Sequence, residues 1–312
     1  MSASLDVVVL GEALIDVVIT SAGAAERPGG SPANVAVALG RLGRAAALVA
    51  RVADDDRGQV LRDWLTASGV DVHTAGDPVR TATARAMIDE RGDATYDFDI
   101  DWTLPSPVGI PGARIFHTGS VAATLVPGAD EVRAAAQRAR ATALVSYDPN
   151  IRPALTGGVL DARARVESLV ALSDVVKASA EDAEWLYPGV APVDVARGWV
   201  ASGAGLAVIT NGDAGSFGVT ASATVDIPAV ATRVVDTVGA GDTFMGTLLD
   251  GILDLAGDTA ELRAAVRSLD DSTLSSLLRR AAAAAAITVG REGMDPPTRE
   301  DLQLSAAPKE SA

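Results

Sequence analysis

The feature that most restricts the fold is a short apolar run dominated by valine, LDVVVL at residues 5–10. It lacks the alternation of a half-exposed strand, and a strand buried on both faces of a parallel sheet requires such a run. Comparable segments recur at residues 45–53, 114–119, 143–147, 174–178 and 206–210, with helical apolar spacing between them at 58–68, 129–141 and 160–172. Strands alternating with helices predict a mainly parallel α/β sheet. One interval breaks the rhythm: residues 85–89 and 94–99 alternate on either side of ERGD, which predicts an antiparallel hairpin. Residues 21–30 read as a flexible stretch. Residues 31–43 read as a helix with Ser31 as N-cap, Pro32 in its first turn and Gly43 at its end.

In open α/β sheets ligands bind past the carboxyl ends of the strands, so polar residues there are the first candidates for a site. Asp16 follows the first strand, either as a ligand contact or as a solvated turn residue. Asn34 lies beside the pair Gly29 and Gly30. Its amide both donates and accepts, which suits adjacent hydroxyls of a polyol or sugar. A plain capping turn is the alternative, and the double glycine favours a ligand. In DPNIRP, Asp148, Asn150 and Arg152 follow another strand. There the guanidinium is placed to hold an oxygen-rich substrate or a phosphate, unless the loop merely holds itself. NGDAGS at residues 211–216 is a Gly-rich hairpin suited to lie against a nucleotide.

The densest segment is DTVGAGDTFMG, residues 236–246, which follows the apolar pair Val234 and Val235 and opens helical spacing over 243–255. A strand feeding a Gly-rich turn into a helix leaves the first helical N–H groups unpaired, and their partial positive charge suits a phosphate. Gly239 and Gly241 carry no Cβ and let a bulky ligand approach the main chain. Asp242 then puts a negative group in the mouth of the site, which points to chemistry rather than mere binding. A carboxylate there is placed to orient and deprotonate a hydroxyl that attacks phosphorus. A Walker loop is excluded, because no Gly is followed by Lys and Ser or Thr. A dinucleotide fingerprint fails at Phe244, where a third Gly is needed. Asp242 as a simple N-cap is the remaining alternative.

Composition narrows the chemistry. The 312 residues allow one large α/β domain or two smaller ones, and a core rich in Ala, Val and Leu follows from 48% hydrophobic but only 4% aromatic residues. Cysteine is absent, which removes disulfides, thiol nucleophiles and thiolate metal sites. The two histidines, His73 and His117, are not spaced as a metal pair and read as structural. A net charge of −15 repels nucleic acid and anionic membranes, so a polyanionic substrate has to be welcomed locally. Only Lys177 and Lys309 are lysines, and Lys309 lies in a polar tail, so a lysine that meets phosphate is Lys177. The N-terminus lacks the basic region of a signal peptide, and the apolar stretch 281–289 is too short to cross a bilayer. The expectation is a soluble cytoplasmic protein.

With these pieces in order, the sequence resembles the ribokinase-like family of carbohydrate kinases over essentially its whole length. GGSPANVAVALGRLG at residues 29–43 and DTVGAGDTFMGTLL at 236–249 resemble the family's two signatures, in the right order and some two hundred residues apart. GEALIDVV, SYDPNIRP and KASAEDAEWL are supporting matches. The resemblance implies a single three-layer α/β/α domain over residues 1–312. Its central sheet is mainly parallel, and a small β-lid from about 12–28 and 83–104 often serves in dimer contacts. It implies Asp242 as catalytic base and the main-chain N–H groups of Gly239, Ala240, Gly241 and Asp242 as an anion hole. Asp16, Gly30, Asn34 and Arg152 are implied sugar contacts, and Lys177, Ser179, Thr210, Gly212 and Gly215 nucleotide contacts. ATP and magnesium are implied cofactors, with a potassium-type cation near Asp236, Val238 and Gly293. The family usually carries Glu three residues after the position of Ser179, and here Asp182 stands there, one methylene shorter for magnesium. GGSPANVA and YDFDIDWTL resemble the fructokinase subgroup, with 2-keto-3-deoxygluconate kinase as the alternative. A non-catalytic sugar or nucleotide sensor is the reading from a different class.

Overall fold

The computed structural model describes residues 5–21, 23–88 and 94–306. The expected ERGD turn and the end of the polar tail, with Lys309, lie outside them. In chain order the strands are β1 (Leu5–Leu10), β2 (Leu14–Thr20), β3 (Gly23–Gly29), β4 (Ala46–Ala50), β5 (Val70–Thr74), β6 (Thr83–Ile88) and β7 (Ala94–Asp99). They continue with β8 (Ala113–Gly119), β9 (Leu144–Asp148), β10 (Val175–Ser179), β11 (Leu206–Thr210), β12 (Ser216–Val219) and β13 (Thr224–Ile227). The α-helices are α1 (Ser31–Arg41), α2 (Asp56–Ala67), α3 (Gly128–Ala139), α4 (Pro153–Thr156), α5 (Val159–Val170) and α6 (Ala180–Leu186). After them come α7 (Pro192–Ala201), α8 (Ala240–Leu253), α9 (Thr259–Arg267), α10 (Asp271–Val289) and α11 (Arg299–Ala306).

The central sheet runs β13-β12-β11-β10-β9-β8-β1-β4-β5 and is parallel from β11 to β5, with β12 and β13 added antiparallel at one edge. Its valine-rich strands are buried on both faces for a reason visible in β1. Val7 and Val9 join one core with residues of α1, α2, α8, α9 and α10, whereas Val8 and Leu10 join another with residues of α3, α5, α6 and α7. The result is the expected three-layer α/β/α arrangement.

A second sheet, ordered β3-β2-β6-β7, stands apart. The predicted hairpin of β6 and β7 is present, but residues 21–30 depart from expectation: most of them form β3, an edge strand largely exposed to solvent. AERPG has no apolar alternation because it faces water, and Pro28 is tolerated at an edge where one side needs no ladder bond. The pair Val234 and Val235 departs in the other direction. They form no strand and are 66% and 51% exposed. The N–H groups of Val235 and Asp236 bond to the carbonyl of Val289 at the end of α10, not to a neighbouring strand. The helix start also differs: Gly30, with φ 102°, is the N-cap of α1, and Ser31 is its first helical residue with no capping bond.

The C-terminal half of α8 is locked by charge. Asp250 is fully buried and paired with Arg44, with Arg280 of α10 and with Arg299 of α11, the last at 2.9 Å. Removing the anion strips Arg280 and Arg299 of this partner and leaves Arg44 only Asp254, a cost of about 3–5 kcal/mol. Asp250→Ala is therefore expected to lower the urea unfolding free energy by that amount, and a loss below about 1 kcal/mol contradicts this account.

Candidate active site

Helix α8 begins at Ala240, with Gly239 as a left-handed N-cap at φ 73°. A Cβ on Gly239 would lie 2.0 Å from Sδ of Met294, so both the conformation and the contact require glycine. Asp242 is therefore the third helical residue rather than the cap. The N–H of Thr243 bonds to Gly239 and that of Ala240 turns back to Thr237. The N–H groups of Gly241 and Asp242 find no acceptor among the described residues, so the unpaired donors expected from the sequence are present.

Both carboxylate oxygens of Asp242 are held by the first turn of α1. Ser31 Oγ donates to Oδ1 at 2.7 Å and Asn34 Nδ2 donates to Oδ2 at 2.7 Å. The helices come this close because Gly246 faces Ala38: a Cβ on Gly246 would stand only 2.8 Å from that of Ala38. Asn34 thus spends its donor on Asp242, while its Oδ1 is buried without a partner. Ser31 is the residue that sequence reasoning missed. It was read as a cap, yet the spacing of Ser31 and Asn34 puts first and fourth helical residues on one face, and that signal was available.

Asp16, on β2, faces this cluster from the second sheet. Burial pushes its carboxyl up to about 6, the Arg152 charge works against this, and the Asp242 charge adds to it. Gly29 makes room for it, since a Cβ there would fall 2.1 Å from Asp16 Oδ2. Gly30 lies against the Glu12 carbonyl, 2.6 Å from where its Cβ would be. Arg152 is exposed and folds back on its own loop, with Nη1 2.8 Å from Asn150 Oδ1. Its charge nevertheless reaches Asp16 and Glu12.

The residues on the other side of Asp242 gather at the ends of β10 and β11. Ser179 and Thr210 are register partners, and Gly212 and Gly215, both with positive φ, shape the turn into β12. Lys177 is buried: its Nζ lies 2.8 Å from Asp148 Oδ2 and 2.9 Å from where a Cβ of Gly241 would be. Burial raises Asp148 to about 6; for Lys177 burial is the largest influence and opposes its charge, but Asp148, Asp242 and Asp182 together outweigh it and hold it above its ordinary value, so the pair is ionised at neutral pH. Lys177 therefore lies beneath the Gly241 main chain with its countercharge.

Asp182 is tied to the main chain. Its Oδ2 and the Ser179 hydroxyl form a capping box, and its Oδ1 accepts the Ile151 N–H at 2.8 Å, so both oxygens serve the main chain. Asp236, Val238 and Gly293 do come together: the two carboxylate oxygens of Asp236 accept the N–H groups of Val238 and Gly293, each at 3.0 Å. Of the histidines, His73 pairs with Asp71 at the surface, and buried His117 meets Ser146 Oγ at 2.9 Å, its imidazole depressed by burial to about 3. A cavity of about 550 Å³ lined by Arg133, Arg165 and Asp161 shares no residue with this cluster.

An acidic side chain at an open helix N-terminus, at the strand ends of a three-layer sheet and faced by a second small sheet, is the arrangement of a ribokinase-like carbohydrate kinase. Residues 4–301 match the family model described as pfkB family carbohydrate kinase, and the chain belongs to that family. It is 34% identical over 276 residues to a fructokinase of Rhizobium leguminosarum bv. trifolii, covering 85% of this chain and 84% of the relative. The fructokinase of Xylella fastidiosa solved with bound ATP superposes with a TM-score of 0.81 at 27% identity, over 96% of this chain and 97% of that one. A double-mutant fructokinase from Vibrio cholerae O395, solved with fructose, ADP and potassium ion, gives a TM-score of 0.81 at 28% identity, over 97% and 99%.

Gly246→Val tests the helix contact that holds Asp242. Overpacking there costs roughly 1–3 kcal/mol and forces α1 away from α8. The expected outcome is a lower midpoint in chemical denaturation together with a large fall in kinase turnover. Full turnover in this variant contradicts the importance of the contact.

Proposed function

We propose that this kinase transfers the γ-phosphoryl group of ATP to a primary hydroxyl of a small sugar, with fructose as the first candidate. The observation that carries the reading is Asp242, fixed at both oxygens by Ser31 and Asn34 beside the unpaired N–H groups of Gly241 and Asp242. In this reading Asp242 takes the hydroxyl proton as the new O–P bond forms and the bond to the ADP oxygen breaks. Of the turn Gly239, Ala240, Gly241 and Asp242, the unpaired N–H groups of Gly241 and Asp242 at the helix N-terminus stabilise the charge spread over the transferred group, while that of Ala240 is spent on Thr237. Lys177 acts through the main chain it underlies, adding positive potential below Gly241.

Asp16, Gly30 and Asn34 form the sugar side, and the unpartnered Asn34 Oδ1 accepts a sugar hydroxyl. Ser179, Thr210, Gly212 and Gly215 form the nucleotide side. The similarity to fructokinases favours fructose. The exposed guanidinium of Arg152 supports 2-keto-3-deoxygluconate as the second reading, since a sugar acid needs a cation. Magnesium, when bound with ATP, neutralises phosphate charge; we assign it no protein ligand, because Asp182 is occupied by the main chain. A potassium-type cation would be held by the loop joining Asp236, Val238 and Gly293. The second sheet acts as a lid that excludes water from the transfer. Its exposed Val18 and Tyr96 suit contact with a second copy of the chain. Among the described residues no helix is long and apolar enough to cross a membrane, and the cytoplasm is the proposed location.

Asp242→Asn keeps the hydrogen-bonding shape but removes the base. Turnover should fall by roughly 10² to 10⁴ with sugar and ATP binding spared, measured by coupled ADP release over a panel of fructose, 2-keto-3-deoxygluconate, ribose and nucleosides. Near-normal turnover refutes the assignment.

Asp16 predicts a pH dependence. Above about 6 it is ionised and accepts strongly from a sugar hydroxyl; below that it is protonated and loses the charge-assisted bond. Sugar KM should therefore climb as pH falls below 6, by at most about tenfold per unit, while Asp16→Asn shows a high KM without that slope. A flat wild-type profile argues against the contact.

A further inference from the structure

The four-stranded sheet joins the central sheet through three connections in the described chain besides the β3 to α1 junction: residues 11–13, leading from β1 into β2, residues 75–82, leading from β5 into β6, and residues 100–112, leading from β7 back to β8. The first and the last are pinned to one residue. The Ala122 N–H donates to Glu12 Oε2 at 3.0 Å, and the Trp102 indole Nε1 donates to the Ala122 carbonyl at 3.0 Å. Ala122 is fully buried in a short 3-10 turn, Ser120–Ala123, directly after β8. Glu12 and Trp102 are each only 3% exposed, so neither bond has water to replace it.

The surroundings give the anchor its stiffness. Ser120 holds φ 55°, a left-handed conformation that a serine adopts only where the surroundings impose it, and its hydroxyl also bonds the Glu12 carboxyl. Gly128, at the start of α3, lets Trp102 lie against it: a Cβ there would fall 2.3 Å from the Trp102 carbonyl. Arg51, just past β4, holds the outgoing segment through the carbonyls of Asp101 and Thr103. Only Ala13 separates Glu12 from the start of β2, the strand that carries Asp16 to the site.

We infer that Glu12 is a positioning residue: with Trp102 it clamps to Ala122 the connection that enters β2 and the one that leaves β7, and so fixes where Asp16 stands relative to Asp242. The clamp rests on the proposed role of Asp16 as a sugar contact. Glu12 touches no substrate in this scheme; it acts through β2. Burial pushes its carboxyl up to about 7, so it is partly protonated at neutral pH and its acceptor geometry matters more than its charge. A neutral acceptor of the same shape therefore serves.

The test compares Asp16→Ala, Glu12→Ala, Glu12→Gln, Trp102→Phe and the double variant Glu12→Ala/Trp102→Phe, with fructose and ATP varied separately. The expected result is a sugar KM about tenfold higher in Glu12→Ala, with ATP KM within about twofold of wild type, and most of the sugar affinity recovered in Glu12→Gln. Trp102→Phe, which keeps one aromatic ring but loses the N–H together with the five-membered ring, shifts sugar KM the same way. In the double variant the two effects combine to less than their product, because both act on Ala122. If Glu12→Ala does not fold, Trp102→Phe and Glu12→Gln decide the matter. The clamp is overturned if sugar and ATP KM rise together, if sugar KM stays within about twofold in both Glu12→Ala and Trp102→Phe, or if the double variant is fully multiplicative. An unchanged sugar KM in Asp16→Ala would instead sink the sugar-site reading itself, so the two failures are distinguishable.

Discussion

Everything at this site depends on the close crossing of α1 and α8. Gly246 and Ala38 let two helices from opposite ends of the chain meet, and the 211 residues between Ser31 and Asp242 become a 2.7 Å hydrogen bond. The donors are a hydroxyl and an amide, neither of which carries a charge. They fix the direction of the carboxylate without acting as counterions. Had a lysine or arginine held Asp242, the same geometry would have favoured a permanent ion pair.

Charge is then distributed around this helix end with some economy. The whole chain carries a net −15, so attraction of a polyphosphate has to be local. The helix N-terminus supplies part of it, and Lys177 lies immediately below the Gly241 main chain. Its partner Asp148 is equally buried and keeps that charge from being an isolated ion in a low-dielectric interior. The pair also explains why Gly241 is glycine on its inner side: a methyl there would collide with the ammonium group.

The features legible in the sequence were those written in local pattern. Val7 to Leu10 announced a strand buried on both faces, and the glycines around Asp242 announced an open helix end. What stayed hidden depended on partners distant in the chain. β3 has no apolar alternation because neither face is deeply buried, so AERPG looks like a loop until β2 is beside it. Val234 and Val235 look like a strand by composition, but they pair with no strand, and the N–H groups of Val235 and Asp236 go to the Val289 carbonyl at the end of α10. Ser31 reads as a cap by type, and only the arrival of α8 shows that its hydroxyl is needed elsewhere. Asp182 satisfies the spacing of a metal ligand, yet the capping box and Ile151 use both of its oxygens.

The pair Gly29 and Gly30 links these observations. Gly29 is the last residue of β3 and leaves room for Asp16, whereas Gly30 is the N-cap of α1 and lies against the main chain of Glu12. One dipeptide thus ends the second sheet, begins the helix that holds Asp242, and touches the segment through which β2 leaves the central sheet. A side chain at either position would push apart groups that have to converge. At Gly29 it would displace the Asp16 carboxyl, and at Gly30 it would strain a left-handed turn and crowd the Glu12 carbonyl. Because these two residues end the second sheet and begin α1, a shift of the second sheet is transmitted to the first turn of α1, and through Ser31 and Asn34 to the carboxylate of Asp242. The positions of Asp16 and of the Asp242 carboxylate are therefore set by one covalent joint.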